Sequence, residues 1–297
     1  MSGGESTADA SVAAAPVATG AAAAPLGGRR FGFGKNWRSF LGVLSDERIR
    51  EAERSLVEWL GDGALAGRSF LDIGCGSGLF SLAAHRLGAA RVHSFDYDAD
   101  SVACAAELRR SIGAAGADWT VERGDVLDSA YLERLGRFDV VYSWGVLHHT
   151  GDMWRALDRA ATAVTPGGRL FIAIYNDEGF VSTLWTWVKR LASGGPLGWA
   201  VVVGTFVPFF ATAAFVKDAL ILRRDPRRRY AEYQRNRGMS LVHDWLDWIG
   251  GYPFEVATPA RIEAFFAERG FAAERIRAIP SGHACNEFLF RAPPSAG

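Results

Sequence analysis

Short apolar runs alternate with amphipathic stretches along most of the chain. Ser45 and Asp46 open an amphipathic stretch that continues through Leu60. Phe70-Leu71-Asp72-Ile73 reads as a buried strand ending in a glycine turn, and Leu79 to Leu87 as the helix behind that turn. Further strands are expected at Arg91 to Asp96, Trp119 to Arg123, Phe138 to Ser143 and Leu170 to Tyr175. Ala99 to Ile112 and Asp152 to Val164 carry the helical pattern, the second stopped by Pro166-Gly167-Gly168. Strands that alternate with helices imply an α/β fold, a doubly wound parallel sheet covered on both faces.

The region from Asn176 to Glu255 interrupts the rhythm. From Leu191 to Val216 there is no charged residue, and Arg223, Arg224, Arg227, Arg228 and Arg229 follow at once. An apolar stretch of roughly 20 residues is long enough to span a bilayer, and the arginines suit a cytoplasmic membrane surface. Three readings stay open: a buried helical hairpin, a surface patch that reaches a lipid-like acceptor, or a spanning helix. A single span is set aside, because it would separate the closing strands from their own sheet. After the insert the rhythm returns. Thr258 caps a helix that begins with Pro259, Ala260 to Arg269 continues it, and Phe271 to Ile279 and Ala284 to Arg291 form a closing strand pair.

The expected organisation is therefore a tail (1–28), a helical segment (29–66), a core (67–175), an apolar helical insert facing the acceptor side (176–257) and a closing helix with two strands (258–297). The tail is nearly all Ala, Gly, Ser, Thr, Val and Pro, lacks the basic start and compact apolar run of a secretory signal, and reads as disordered. In the 297 residues 33 basic and 33 acidic side chains balance, so no nucleic-acid partner is suggested. Cys75, Cys104 and Cys285 show no CxxC spacing, which argues against a disulfide framework or a zinc site and for a reduced, cytoplasmic setting.

The chemistry is expected where strand tips meet. Asp72-Ile73-Gly74-Cys75-Gly76-Ser77-Gly78 follows the first strand, where open α/β sheets bind ligands. The glycines let a ligand approach the backbone, helix N-terminal amides hold a carboxylate, and Asp72 meets an ammonium. A ligand with both groups is an amino acid, and S-adenosylmethionine carries such a tail. The spacing is GxGxG, not the GxGxxG of dinucleotide sites. Asp96, in Ser94-Phe95-Asp96-Tyr97-Asp98, closes the second strand and is placed to take both ribose hydroxyls. It also suits a helix cap, as does Asp98. Asp125, in Gly124-Asp125-Val126, is placed to accept from an adenine amino group while Val126 packs on the ring; an ordinary turn aspartate is the plainer alternative.

The order Phe70 to Phe80, Phe95-Asp96, Gly124-Asp125, Phe138-Asp139-Val140-Val141 and Pro166-Gly167-Gly168 resembles the class I S-adenosylmethionine-dependent methyltransferase superfamily. The resemblance implies a Rossmann-like sheet of seven strands, the last antiparallel. It assigns Asp72, Gly74, Gly76 and Gly78, with Cys75 between them, to the cofactor loop. Asp96, beside Tyr97, becomes the ribose acid, and Asp125, beside Val126, the adenine contact. Val146-Leu147-His148-His149, after Trp144, resembles the stretch after the fourth strand in small-molecule O-methyltransferases of the quinol methylase type. The Asn/Asp-Pro-Pro-Tyr/Phe signature of amino-methylating enzymes is missing there, so a hydroxyl acceptor is favoured.

Methyl transfer from a sulfonium needs alignment above all, and a base helps where the acceptor is a hydroxyl. His148 and His149 are the candidate bases; packing against the cofactor or capping a helix is their duller reading. Trp37 and Phe33, beside Lys35 and Asn36, are candidates for a lid over the cofactor. Tyr175, Asn176, Asp177, Asp244, Trp245, Asp247 and Trp248 are candidates for an acceptor wall. No metal-ligand cluster is visible. The expected function is O-methylation of a small or lipophilic molecule such as a quinol precursor, in the cytoplasm, with peripheral contact to the inner face of the membrane through residues 191–229. The alternatives are a nicotinamide-dependent oxidoreductase and an inactive, membrane-associated S-adenosylmethionine-binding protein.

Overall fold

The computed structural model describes residues 45–113, 118–221, 223, 225, 241–280 and 284–295, without the side chains of 241–244 and 247. Phe33, Lys35, Asn36, Trp37, Arg224, Arg227, Arg228 and Arg229 therefore lie outside the described residues, as do the side chains of Asp244 and Asp247.

The described elements run in this order: α1 (Asp46–Leu60), β1 (Ser69–Ile73), α2 (Leu79–Arg86), β2 (Arg91–Asp96), α3 (Ala99–Ser111), β3 (Trp119–Arg123), α4 (Ser129–Leu135), β4 (Phe138–Trp144), α5 (Met153–Thr162) and β5 (Val164–Tyr175). After them come α6 (Phe180–Ser193), α7 (Pro196–Val216), α8 (Leu241–Gly250), α9 (Pro259–Ala267), β6 (Ala272–Arg277) and β7 (Cys285–Arg291). The sheet has seven strands in the order β3-β2-β1-β4-β5-β7-β6. The first five are parallel and β7 is antiparallel to both neighbours.

Alternation along the strands builds a core on each face. Phe70, Val140, Tyr142, Phe171 and Leu289 face the layer that holds Leu56, Trp59 and Leu82. Leu71, Ile73, Val141, Leu170, Ile172, Phe288 and Phe290 face the layer that holds Leu157, Ile262 and Phe266. Two-residue periodicity places these side chains on opposite faces of one pleated sheet. It also puts Asp72, at the tip of β1, on the same face as Phe70 and Tyr142. Helices α3 and α4 begin at caps of their own: Asp98 accepts from the Asp100 amide at 2.8 Å, and Asp128 from the Tyr131 amide at 3.1 Å.

The structure departs from the sequence pattern at three places. The helix expected over Asp152 to Val164 ends at Thr162, with Asp152 as its cap. Val164 already pairs with Phe138, and the register then jumps so that Arg169 meets Val140. Pro166-Gly167-Gly168 is thus absorbed as an irregularity inside β5. Helix α4, only seven residues long, carried too few turns to show a period. The insert is a hairpin of α6 and α7, and it is not buried: Val202 is the one buried residue described on α7.

Candidate active site

A cavity of about 1050 Å³ opens at the carboxyl ends of β1, β2 and β4. At one end it is lined by Asp72, Gly74, Cys75, Gly76, Ser77 and Asp96. At the other it is walled by His149, Tyr175, Trp185, Phe210, Trp245 and Trp248.

The glycine turn is held from below. The amides of Gly74 and Cys75 both donate to the Phe95 carbonyl, at 2.8 and 3.1 Å. Gly74, Gly76 and Gly78 have φ of 76°, 53° and 79°, a region that side chains strain to enter. At Gly74 there is a second constraint, since a Cβ would collide with the Val146 side chain.

Asp72 and Asp96 place two carboxyl groups at the glycine-turn end of the cavity. Asp72 is 2% exposed, and its Oδ2 accepts from the Ser81 hydroxyl at 2.5 Å. Burial pushes its carboxyl up to about 7, with the Ser81 hydrogen bond opposing and Asp96 adding to the rise. Asp96 accepts from the Gly76 amide at 3.0 Å and the Asp98 amide at 2.9 Å, and burial lifts its carboxyl as well. Neither carboxylate forms a salt bridge among the described residues. Buried anions without a cation call for one from a ligand. The Tyr142 hydroxyl, buried on the same face, has no hydrogen-bond partner among the described residues.

The two histidines part company. His149 lines the cavity, and its Nδ1 lies 2.6 Å from the Pro253 carbonyl. A carbonyl only accepts, so this contact assigns the proton to Nδ1 and leaves Nε2 as the basic nitrogen. Burial holds the ring down to about 4, so it is neutral at physiological pH. His148 is fully buried and does not line the cavity. Its Nδ1 accepts from the Tyr175 amide at 3.4 Å, and its Nε2 has no partner among the described residues. Its ring packs on Tyr175, centroids 4.2 Å apart.

Tyr97, Asp125 and Val126 are likewise not brought into the lining. Tyr97 is 47% exposed and lies under Arg123. Asp125 accepts from the Leu127 amide at 2.9 Å, the geometry of a turn, and Val126 belongs to the hydrophobic core. Of the acceptor-wall candidates, Tyr175, Trp245 and Trp248 line the cavity, whereas Asn176 joins Asn286 at 2.9 Å and Asp177 accepts from the Gly179 amide at 2.8 Å.

Lys189 is a lining residue that the sequence pattern did not single out. It is fully buried, donates to the Trp248 carbonyl, and sits 3.9 Å from the centre of the Trp248 ring. Burial brings it down to about 7. A lysine late in an aromatic stretch, after Trp185 and Trp187, was the available signal, a charge that folding has to house.

Residues 71–170 match the family model described as a methyltransferase domain. That stretch is a methyltransferase domain. The chain is 32% identical over 139 residues to the ubiquinone biosynthesis O-methyltransferase of Bradyrhizobium sp. (strain ORS 278), covering 46% of this chain and 50% of that one. It is also 32% identical over 117 residues to the ribosomal protein L11 methyltransferase of Methylococcus capsulatus, covering 39% and 36%. The chain thus spans about half or less of the length of these two curated relatives. Magnesium protoporphyrin IX methyltransferase from Synechocystis, solved with bound SAH, shares the fold at a TM-score of 0.51 and 17% identity over 87% of this chain and 94% of that one.

The residues present fit the donor. Two carboxyl groups without a salt bridge among the described residues, buried Asp72 and half-buried Asp96, suit its ammonium and its ribose hydroxyls, and the turn at Gly74 leaves no room for a side chain.

Proposed function

We propose that this enzyme transfers a methyl group from S-adenosylmethionine to a hydroxyl of a small, lipophilic, ring-bearing molecule, a quinol precursor being the model acceptor. The single observation that carries the reading is the joining of two carboxyl groups, buried Asp72 and half-buried Asp96, to an aromatic chamber in one cavity.

When bound, S-adenosylmethionine supplies a methyl on a sulfonium that is open to direct displacement. Asp72 would hold its ammonium and Asp96 its ribose hydroxyls, with the Gly74 to Gly78 turn against the amino-acid end. Tyr175, Trp185, Trp245 and Trp248 would hold a flat acceptor and exclude water, which leaves orientation as the main contribution to rate. His149 would accept the acceptor's hydroxyl proton at Nε2, its Nδ1–H fixed on the Pro253 carbonyl. The resemblance of Val146-Leu147-His148-His149 to quinol O-methyltransferases and the names of relatives such as that from Bradyrhizobium support oxygen as the acceptor atom. The same reading places the enzyme in the cytoplasm, with the insert available to the inner membrane surface.

Methyl-labelled cofactor incubated with enzyme and cell extract tests the proposal. A labelled, organic-soluble product together with released S-adenosylhomocysteine is expected. Label in protein, or no release above the no-enzyme control, would overturn it.

A further inference from the structure

Helix α7 runs without a break into a π-helical turn, so that Pro196–Ile221 forms 26 residues of which 6% of the most apolar window is buried. Its partner α6 exposes Leu184, Trp187 and Leu191, and α7 exposes Leu197, Val201 and Phe209, from 49% to 79%. The inward side of α7 is apolar too. Trp185 packs on Phe206 at 5.2 Å, and Phe210 packs on Trp245 at 5.7 Å, forming the cavity wall.

A protein partner, including a second copy of this chain, would be met by an apolar stripe with a polar back. Helix α7 has no polar back, which is the pattern hydrocarbon selects, and α6 turns its polar residues Ser182 and Lys189 inward and Leu184, Trp187 and Leu191 outward. The hydroxyls agree: Thr205 turns back to the Val201 carbonyl at 2.8 Å, and Thr186 to the Ser182 carbonyl at 2.9 Å, as an apolar medium requires. Charge stands at the ends, with Arg190 late in α6 and Lys217 and Arg223 beyond α7, where headgroups would meet it. The hairpin leaves the core at Tyr175. Helix α8 is tied back to it by the Lys189 bond to the Trp248 carbonyl, on the same cavity. Both flanks thus stay on the cofactor side, which a single crossing by α7 would not allow.

We propose that the α6–α7 hairpin seats within one lipid leaflet, so that a membrane-dissolved acceptor enters the cavity across the aromatic wall it shares with the bilayer. This rests on the methyl-transfer reading for the acceptor, but the seating itself does not.

The full chain is tested by flotation with phosphatidylcholine vesicles and with vesicles that also contain phosphatidylglycerol, at low and high salt. The wild type is expected to float with both, at either salt. Leu197→Glu/Val201→Glu should lose roughly 10-fold in vesicle binding or more, with Leu197→Ser/Val201→Ser intermediate. All three forms should melt alike and give the same heat with S-adenosylhomocysteine. In vesicles a quinol carrying a decyl chain should quench tryptophan emission of the wild type, and of the double glutamate variant much less. The same quinol without the chain should treat the two alike. Wild type left at the bottom, a glutamate variant that still floats, or a vesicle-independent dimer abolished by the variants would each overturn leaflet seating. Equal quenching by both quinols would overturn the entry route. Absence of heat with S-adenosylhomocysteine would instead remove the cofactor reading and leave the seating result standing.

Discussion

Ser81 donates its hydroxyl to the Asp72 carboxylate across 2.5 Å, and the direction of that bond is set from the edge strand β3. The Trp119 indole can only donate, and it donates to Ser94 at 2.8 Å. Ser94 then donates to Ser81 at 2.7 Å, and Ser81 to Asp72. The chain crosses from β3 through β2 and α2 to β1, with every hydroxyl proton aimed at one carboxylate. It favours the ionised form that an ammonium ligand needs.

Ser81→Ala should therefore weaken S-adenosylhomocysteine binding by roughly 10-fold at neutral pH, since a hydrogen bond to a charged group is worth about 1.5–3 kcal/mol. Calorimetry checks this. Unchanged affinity would mean that Asp72 is held by other contacts or does not meet the ligand.

The pH dependence follows with a definite sign. Asp72 stands at about 7 in the ligand-free protein, against an ordinary 3.8. Below that value it is protonated and offers the ammonium no charge. Affinity for S-adenosylhomocysteine should therefore climb as pH rises through about 7 and level off above it, and Asp72→Asn should be weak and flat over that range. The same shift makes Asp72 a burden on the empty fold. The folded state holds this proton more tightly than the unfolded chain, so stability is lost as pH rises from about 4 to about 7. Asp72→Asn should melt higher than wild type at pH about 8 while binding poorly, the exchange expected where a site stores strain for function.

Much of this site was legible before the structure, and the limits have physical causes. Asp72, the glycines and Asp96 sit at strand tips, where alternation of apolar residues predicts both the strand and its end. Asp125 was less legible because a turn carboxylate and a ligand contact share one pattern, and its bond to the Leu127 amide is the turn form. The pair His148 and His149 could not be divided by sequence. One residue of difference in a 3-10 turn sends one ring into the core and the other to the cavity. Lys189 depends on a contact with Trp248, 59 positions away, which no local pattern encodes.

That division makes a paired prediction. His149→Gln should lower turnover by about 10²–10⁴-fold, the usual range for a general base, with S-adenosylhomocysteine affinity unchanged. His148→Ala should instead lower the melting temperature, because it leaves a cavity against Tyr175. Steady-state rates and thermal melts of the two variants decide it. Full turnover in His149→Gln would leave alignment alone as the source of catalysis.

Lys189 offers a test of the insert that needs no acceptor. Its ammonium is fully buried between the Trp248 ring at 3.9 Å and the Phe254 ring at 4.8 Å. Burial lowers it from 10.5 to about 7. Between those two values the unfolded chain keeps a proton that the folded chain has released, so folding gains stability as pH rises across the interval. At pH about 6 both states carry the charge, and the folded state bears the full cost of burying it. Lys189→Met removes that cost along with the bond to the Trp248 carbonyl. The stability of wild type relative to Lys189→Met should therefore be least favourable near pH 6 and rise steadily toward pH about 9.5, whatever its absolute sign. Denaturant melts of the two proteins across that range measure the difference directly. A flat difference would show that the ammonium reaches water, and that α6 and α8 do not close over it as the structure has them.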